Sequence, residues 1–230
     1  MERYLLIPLC FAAILSEWVS VPKEEFQEYS TGLRRPVVST ILVNWIGKTS
    51  FTHVPQRLDW RTMVDHIPVQ NQGACGSCWA FATTGPIEFL LRNASHSVDL
   101  SEQFLVSCND AGYSCNNGGW WDFDTLLSSG LVPESCLPYV ARDVQCTPTC
   151  AAYPHASIVR WGYVDRFGGV PSTHTMKVAM LTHGPLSVAV SVGNEFYSYR
   201  SGVFTFSHPG PVNHDVTMIG WDDDFQAWLV

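Results

Sequence analysis

The residues Gln72-Gly73-Ala74-Cys75-Gly76-Ser77-Cys78-Trp79-Ala80-Phe81 bring together side chains able to do nucleophilic chemistry. A helix-forming run follows as far as Leu91 and places Cys78 at its N-terminus. There the macrodipole and the unpaired N–H groups favour the thiolate, which is the nucleophilic form. Gly73 and Gly76 permit a tight turn, and the side-chain amide of Gln72 can donate to a developing oxyanion. The Cys-x-x-Cys spacing also serves redox dithiols, zinc knuckles and plain disulfides. A redox dithiol follows a strand in a βαβ unit, and none is visible here. A zinc knuckle needs a second close pair, and Cys146-x-x-x-Cys150 has no histidine at ligand spacing. No metal is therefore expected. A thiolate nucleophile needs a base. Of the eight histidines, His214 stands out, because it opens the half-buried run His214-Asp-Val-Thr-Met-Ile-Gly-Trp221.

These residues need elements to hold them. The helix from Cys78 to Leu91 would turn Phe81, Ile87, Leu90 and Leu91 to one inner side. Further helices would begin near Ser101 and Gly119. Candidate strands, rich in Val and Ile at alternating positions, are Ser157 to Val164, Leu186 to Val192 and His214 to Trp221. The chain of 230 residues is 46% hydrophobic and 15% charged, a globular balance with enough length for a real core. The net charge of −8 argues against nucleic-acid backbone or anionic membrane as partner. All of that charge lies after about residue 54, which hints at a boundary there. Residues 1–20 read as an export signal: Arg3, an apolar run from Tyr4 to Leu15 too short to span a bilayer, then small and polar residues. Removing it takes Cys10 away and leaves seven of the eight cysteines. Six can pair in an oxidising compartment, and one remains over.

Several segments in order resemble the papain family of cysteine peptidases, in its cathepsin group. Val54-Pro55-Gln56-Arg57-Leu58-Asp59-Trp60 is similar to the start of the mature family enzyme, and Gln72 to Phe81 to the nucleophile segment. Leu100-Ser101-Glu102-Gln103, Cys115-Asn116-Asn117-Gly118-Gly119-Trp120, Gly184-Pro185-Leu186-Ser187-Val188-Ala189 and Val212-Asn213-His214 complete the set. The family's Cys-Asn-Gly-Gly element carries one extra asparagine here. The resemblance implies an α+β fold of two lobes: a mainly helical first lobe, roughly Met63 to Arg160, and an antiparallel β-barrel second lobe, with the cleft between them. It implies Cys78 as nucleophile, His214 as its imidazolium partner, and Gln72 with the Cys78 N–H as oxyanion hole. Gly118 and Gly119 would pair with the backbone of an extended peptide. Trp120, Ala189 and Asp215 would surround the pocket for the second residue before the cleaved bond, and a carboxylate at that rim would favour Arg or Lys. The same resemblance implies disulfides Cys75–Cys115 and Cys108–Cys146, which leaves Cys136–Cys150 as an extra bridge. The reaction that the resemblance implies would be endopeptidic hydrolysis through a thioester, without cofactor. The implied partners would be peptide or protein substrates and cystatin-type inhibitors. The protein is expected to be a monomer of the secretory pathway, extracellular or lysosomal and vacuolar.

The resemblance has gaps. The family's third catalytic residue is an asparagine in an Asn-Ser-Trp-Gly segment, and the chain stops at Ala227-Trp228-Leu229-Val230, before that point. Asp215 cannot replace it, because adjacent strand residues point to opposite faces. The expected organisation is thus a signal at 1–20, a short pro-region at 21–53 and a peptidase domain at 54–230, truncated at its C-terminus. The alternative is a catalytically impaired relative that binds peptides or acts as a scaffold. Asn93-Ala94-Ser95 is a sequon for N-glycosylation at Asn93.

Overall fold

Helix α1, Cys78–Asn93, lies between two hydrophobic cores and feeds both. The computed structural model describes residues 6–8, 53–64, 67–123, 130–149, 156–158, 161–164, 170–205 and 211–230. Trp79, Ala80 and Ile87 enter a first core with Leu100, Leu105, Val106 and Leu131. Phe89 enters a second core with Met176, Met180, Met218, Trp221 and Trp228. A helix packed on two sides has no single inner stripe. Of the expected face Phe81–Ile87–Leu90–Leu91, Ile87 is buried, Phe81 and Leu91 are half-buried and Leu90 is 41% exposed, while Trp79, Ala80, Thr83 and Thr84 are also enclosed.

Helix α2, Glu102–Cys108, starts where Ser101 caps it, its Oγ accepting from the Phe104 N–H at 3.0 Å. No helix starts at Gly119. Residues 119–122 are not helical, Phe123 is the first helical residue, and residues 124–129 lie outside the described ones. Disulfides join Cys75 to Cys115 and Cys108 to Cys146 around these helices. Cys136 is also disulfide-bonded, and its expected partner Cys150 lies outside the described residues.

The second lobe is antiparallel. Strand β1 is Leu6–Pro8, β2 Arg57–Asp59, β3 Leu186–Val190, β4 His214–Met218, β5 Gly220–Asp222 and β6 Ala227–Leu229. They form a four-stranded sheet in the order β1-β6-β5-β2 and a separate ribbon β3-β4. Among the described residues these strands do not close into a barrel. Helix α3, Thr173–His183, leads into β3, and the short α4, Asn194–Tyr197, lies between β3 and β4. β1 falls inside the segment expected to be an export signal and covers the outer edge of β6, Leu6 opposite Leu229.

Three strand expectations change. His214 to Trp221 is two strands, because the chain leaves β3 after Met218 and joins β2 at Gly220. A Cβ on Gly220 would lie 2.0 Å from the Leu58 carbonyl oxygen, so only glycine permits that crossing. The strand from Leu186 ends at Val190, where Asn213 takes over: its side chain bonds the backbone N–H and C=O of Val192, both at 2.9 Å. The described residues of 157–164 make no strand. Ala156 just before them forms an isolated bridge with Leu131, and the half-buried aromatic side chains Trp161 and Tyr163 meet edge to face.

Candidate active site

Cys78 is the first residue of α1, 1% exposed, and among the described cysteines it alone is outside a disulfide. Ser77 precedes it but makes no side-chain cap. Its hydroxyl instead pairs with the Tyr139 hydroxyl at 2.5 Å, and Tyr139 donates to the Gln72 carbonyl at 2.8 Å. Burial, joined by the charges of Glu102 and Cys78, pushes the Tyr139 phenol up to about 12, so it keeps the proton that it donates. Gln72 Nε2 donates to the Cys75 carbonyl at 2.8 Å, which ties the amide to the turn before Cys78. Neither Tyr139 nor Ser77 was legible as a site residue, since their spacing from Gln72 carries no periodic signal.

The glycine pair is fixed by the same turn. Gly76 N–H donates to Cys115 O at 3.0 Å, and Trp79 Nε1 donates to Gly76 O at 3.1 Å. A Cβ on Gly119 would lie 2.5 Å from the Trp79 ring, so the backbone there lies directly on the indole. Gly118 bridges back to Ser114. Trp120 and Trp121 follow, their rings 4.7 Å apart, and Tyr163 lies 6.4 Å from Trp121.

Helix and ribbon meet in a defined direction. Leu90 lies over Gly184, just before β3; Ser187 donates to Ala82 O; and Gly85 lies against Thr217, the register partner of Ser187. Moving from Leu90 back to Ala82 therefore advances along β3, and the helix start faces the Val190–His214 end. Ser187 fills a gap in α1, because Pro86 has no N–H to offer the Ala82 carbonyl. Helix α4 lies against His214 and within electrostatic reach of Cys78. Phe196 meets the His214 ring edge-on at 5.7 Å, and the Cys78 charge, after burial, raises the Tyr197 phenol.

His214 is half-buried, and its Nδ1 has no hydrogen-bond partner among the described residues. Burial pushes the imidazole down to about 4, so at neutral pH it is uncharged and able to accept a proton. Asp215 is not at a rim. It is 3% exposed, opposite Ala189 in the ribbon, and burial holds its carboxyl well above the usual range. Trp121, unassigned from sequence, is the side chain whose indole N–H neighbours it. Asn93 is the exposed last residue of α1. Among the described residues no group of three or more His, Cys, Asp or Glu could hold a metal ion.

Comparison with known proteins gives the family. The profile of the papain family cysteine proteases matches residues 54–230. This chain belongs to the papain family. Its papain-family relatives include zingipain-2 of Zingiber officinale, 35% identical over 185 residues, 77% of this chain and 80% of that protein. Chymopapain of Carica papaya is 36% identical over 174 residues, 74% of this chain and 48% of its own length. The chain thus spans most of the first relative and about half of the second. Among solved papain-family structures, the Carica candamarcensis cysteine protease CMS1MS2 in complex with E-64 superposes with a TM-score of 0.64 at 28% identity, covering 74% of this chain and 79% of that one. Papain-family membership makes the chain a cysteine peptidase by class, of mixed helix and antiparallel sheet.

Proposed function

We propose that the chain is an endopeptidase in which Cys78 attacks and His214 moves the proton. One observation carries this reading: a buried thiol outside any disulfide, at the start of α1, faces the His214 end of the ribbon, where Phe196 of α4 lies against the His214 ring. His214 takes the thiol proton as Sγ bonds to the scissile carbonyl carbon. The oxygen gains charge beside the Cys78 N–H and the Gln72 amide. The C–N bond then breaks, the amine takes the proton from His214, and a thioester remains. Water, giving a proton to His214, opens the C–S bond and releases the acid. Gly118 and Gly119 align the extended substrate. Trp120, Ala189 and Asp215 flank its second residue before the cleaved bond.

Peptides and proteins are the partners, and cystatin-type inhibitors compete for the cleft. The disulfides support passage through an oxidising secretory compartment, in which Asn93 is exposed for glycosylation. The reading of residues 1–20 as signal and 21–53 as pro-region remains part of this proposal. A second reading, an impaired peptide-binding relative, draws on the His214 Nδ1, which no described residue orients.

An epoxide alkylator such as E-64, with intact-mass measurement, tests the proposal. One adduct on Cys78, absent in Cys78→Ala, is expected, together with hydrolysis of a dipeptidyl coumarin. Cys78→Ala and His214→Ala abolish that hydrolysis, and Gln72→Ala lowers it about 10²–10³-fold. Neither adduct nor hydrolysis in the folded protein would leave the scaffold reading.

A further inference from the structure

Asp215 is a buried acid with nothing to hold. It is 3% exposed, and neither carboxylate oxygen has a hydrogen-bond partner among the described residues. The Trp121 Nε1 beside it is also buried without one. The indole N–H is near enough to favour the charged carboxylate, yet it makes no hydrogen bond of ordinary geometry, and burial outweighs it. No described cation contributes. Native proteins rarely leave such a group unmatched, and an unmatched one calls for a missing partner.

Its position says where that partner comes from. Alternation along β4 puts Asp215 on the face shared with Thr217 and, across the ribbon, Ser187 and Ala189. Thr217 and Ser187 lie against α1 at Gly85 and Ala82. Asp215 and Ala189 come one step nearer the Cys78 end. The opposite wall is Trp121, two residues beyond Gly119, in an aromatic row with Trp120 and Tyr163. Ala189, across the ribbon from Asp215, adds only a methyl group to that face. Two enclosed carboxylate oxygens thus lie behind half-buried indole side chains. A guanidinium matches both, since it donates two parallel N–H bonds to a carboxylate and stacks on aromatic faces.

We propose that Asp215 and Trp121 form a pocket for an arginine side chain of the substrate, at the second residue before the cleaved bond. The proposal rests on the peptidase reading for that placement. Entry requires the Trp121 ring to turn aside, because Asp215 is enclosed in the unbound protein.

Calorimetry on the Cys78→Ser protein tests this without turnover. Blocked pentapeptides carry arginine, citrulline or leucine at the position in question. Arginine is expected to bind about tenfold to a hundredfold more tightly than citrulline, its uncharged isostere. Asp215→Asn removes that difference, and its circular-dichroism spectrum and E-64 adduct in the Cys78 background, matched to the parent, show that the variant folds. Trp121→Phe, lacking the N–H, narrows it severalfold. Equal binding of arginine and citrulline, or a preference that survives Asp215→Asn, overturns the pocket. Cys78 alkylation and leucine-substrate hydrolysis report separately. Hydrolysis without arginine preference removes the pocket alone. Arginine binding through Asp215 in a protein that neither reacts nor cleaves removes the peptidase reading alone.

Discussion

Gly119 has the tightest tolerance around the nucleophile. A methyl there meets the Trp79 ring at 2.5 Å, and Trp79 is itself fully buried and bonded to Gly76 O. Gly119→Ala should therefore lower stability by about 1–3 kcal/mol and displace the segment proposed to align substrate. The loss is expected to appear in KM more than in kcat, and a variant with unchanged melting and kinetics would show that the indole gives way. Tyr139→Phe tests the turn from the other side. It removes a hydroxyl bonded to both Ser77 and Gln72 O, at a cost of about 1 kcal/mol. Cys78, Gln72 and His214 could be proposed from the sequence because each sits in a short motif whose chemistry needs that residue type. Tyr139 and Trp121 were not, because their roles arise from contacts across the fold. Asp215 was legible as a neighbour of His214, but its burial depends on Trp121 arriving from another lobe.

At the scale of elements, the join between α1 and the ribbon decides alignment. Pro86 leaves the Ala82 carbonyl without a helical donor, and Ser187 supplies one. Ser187→Ala should cost about 1–3 kcal/mol for the orphaned carbonyl and lower kcat by loosening the Cys78 end against His214. Unchanged melting would mean that another donor replaces it. The α1–α2 contact has its own signature in pH. Burial raises Glu88 to about 7 and Glu102 to about 8, where Glu88 accepts from Leu100 N–H and Glu102 from the Thr84 hydroxyl. Folded carboxyls that hold protons longer than unfolded ones lose stability as pH rises from about 4.5 toward 8. His214 acts oppositely, since its folded value near 4 costs stability as pH falls below 6.5. Asp215 is shifted in the same direction as the two glutamates, so three carboxyls outweigh one imidazole and melting should be higher at pH 5 than at pH 8. Glu102→Gln, which keeps the Thr84 bond, should flatten that profile. A flat parent profile would show that these acids are ionised in the folded state. The start of α1 could be read from sequence because glycines and a small-residue turn precede it. The split of His214 to Trp221 could not, because alternation looks the same on either side of Gly220 and only the approach of Leu58 separates the two strands.

For the molecule as a whole, closure is a matter of distant partners. β1 covers the β6 edge in register, Leu6 opposite Leu229 and Pro8 opposite Ala227. Removing residues 1–20 uncovers that edge, and exposed strand edges invite pairing between chains. The shortened chain should therefore self-associate with rising concentration in sedimentation velocity, and a monodisperse shortened chain would show the edge to be harmless. The two-lobe class was legible because helix and strand motifs fall in separate stretches of the sequence. The sheet order was not, since β2 at one end of the domain pairs with β5 near the other. That pairing sets a clock. Leu58 lies opposite Trp221, 163 positions later, and at roughly 5–20 residues per second the ribosome delivers the partner on the order of 10 s afterwards. The first lobe need not wait, for its bridges close over separations of only 40 and 38 residues. His214 emerges just ahead of Trp221, so under the proposed roles a growing chain carries Cys78 for that whole interval before its base arrives, and until then the thiol is chemically silent toward neighbouring nascent chains.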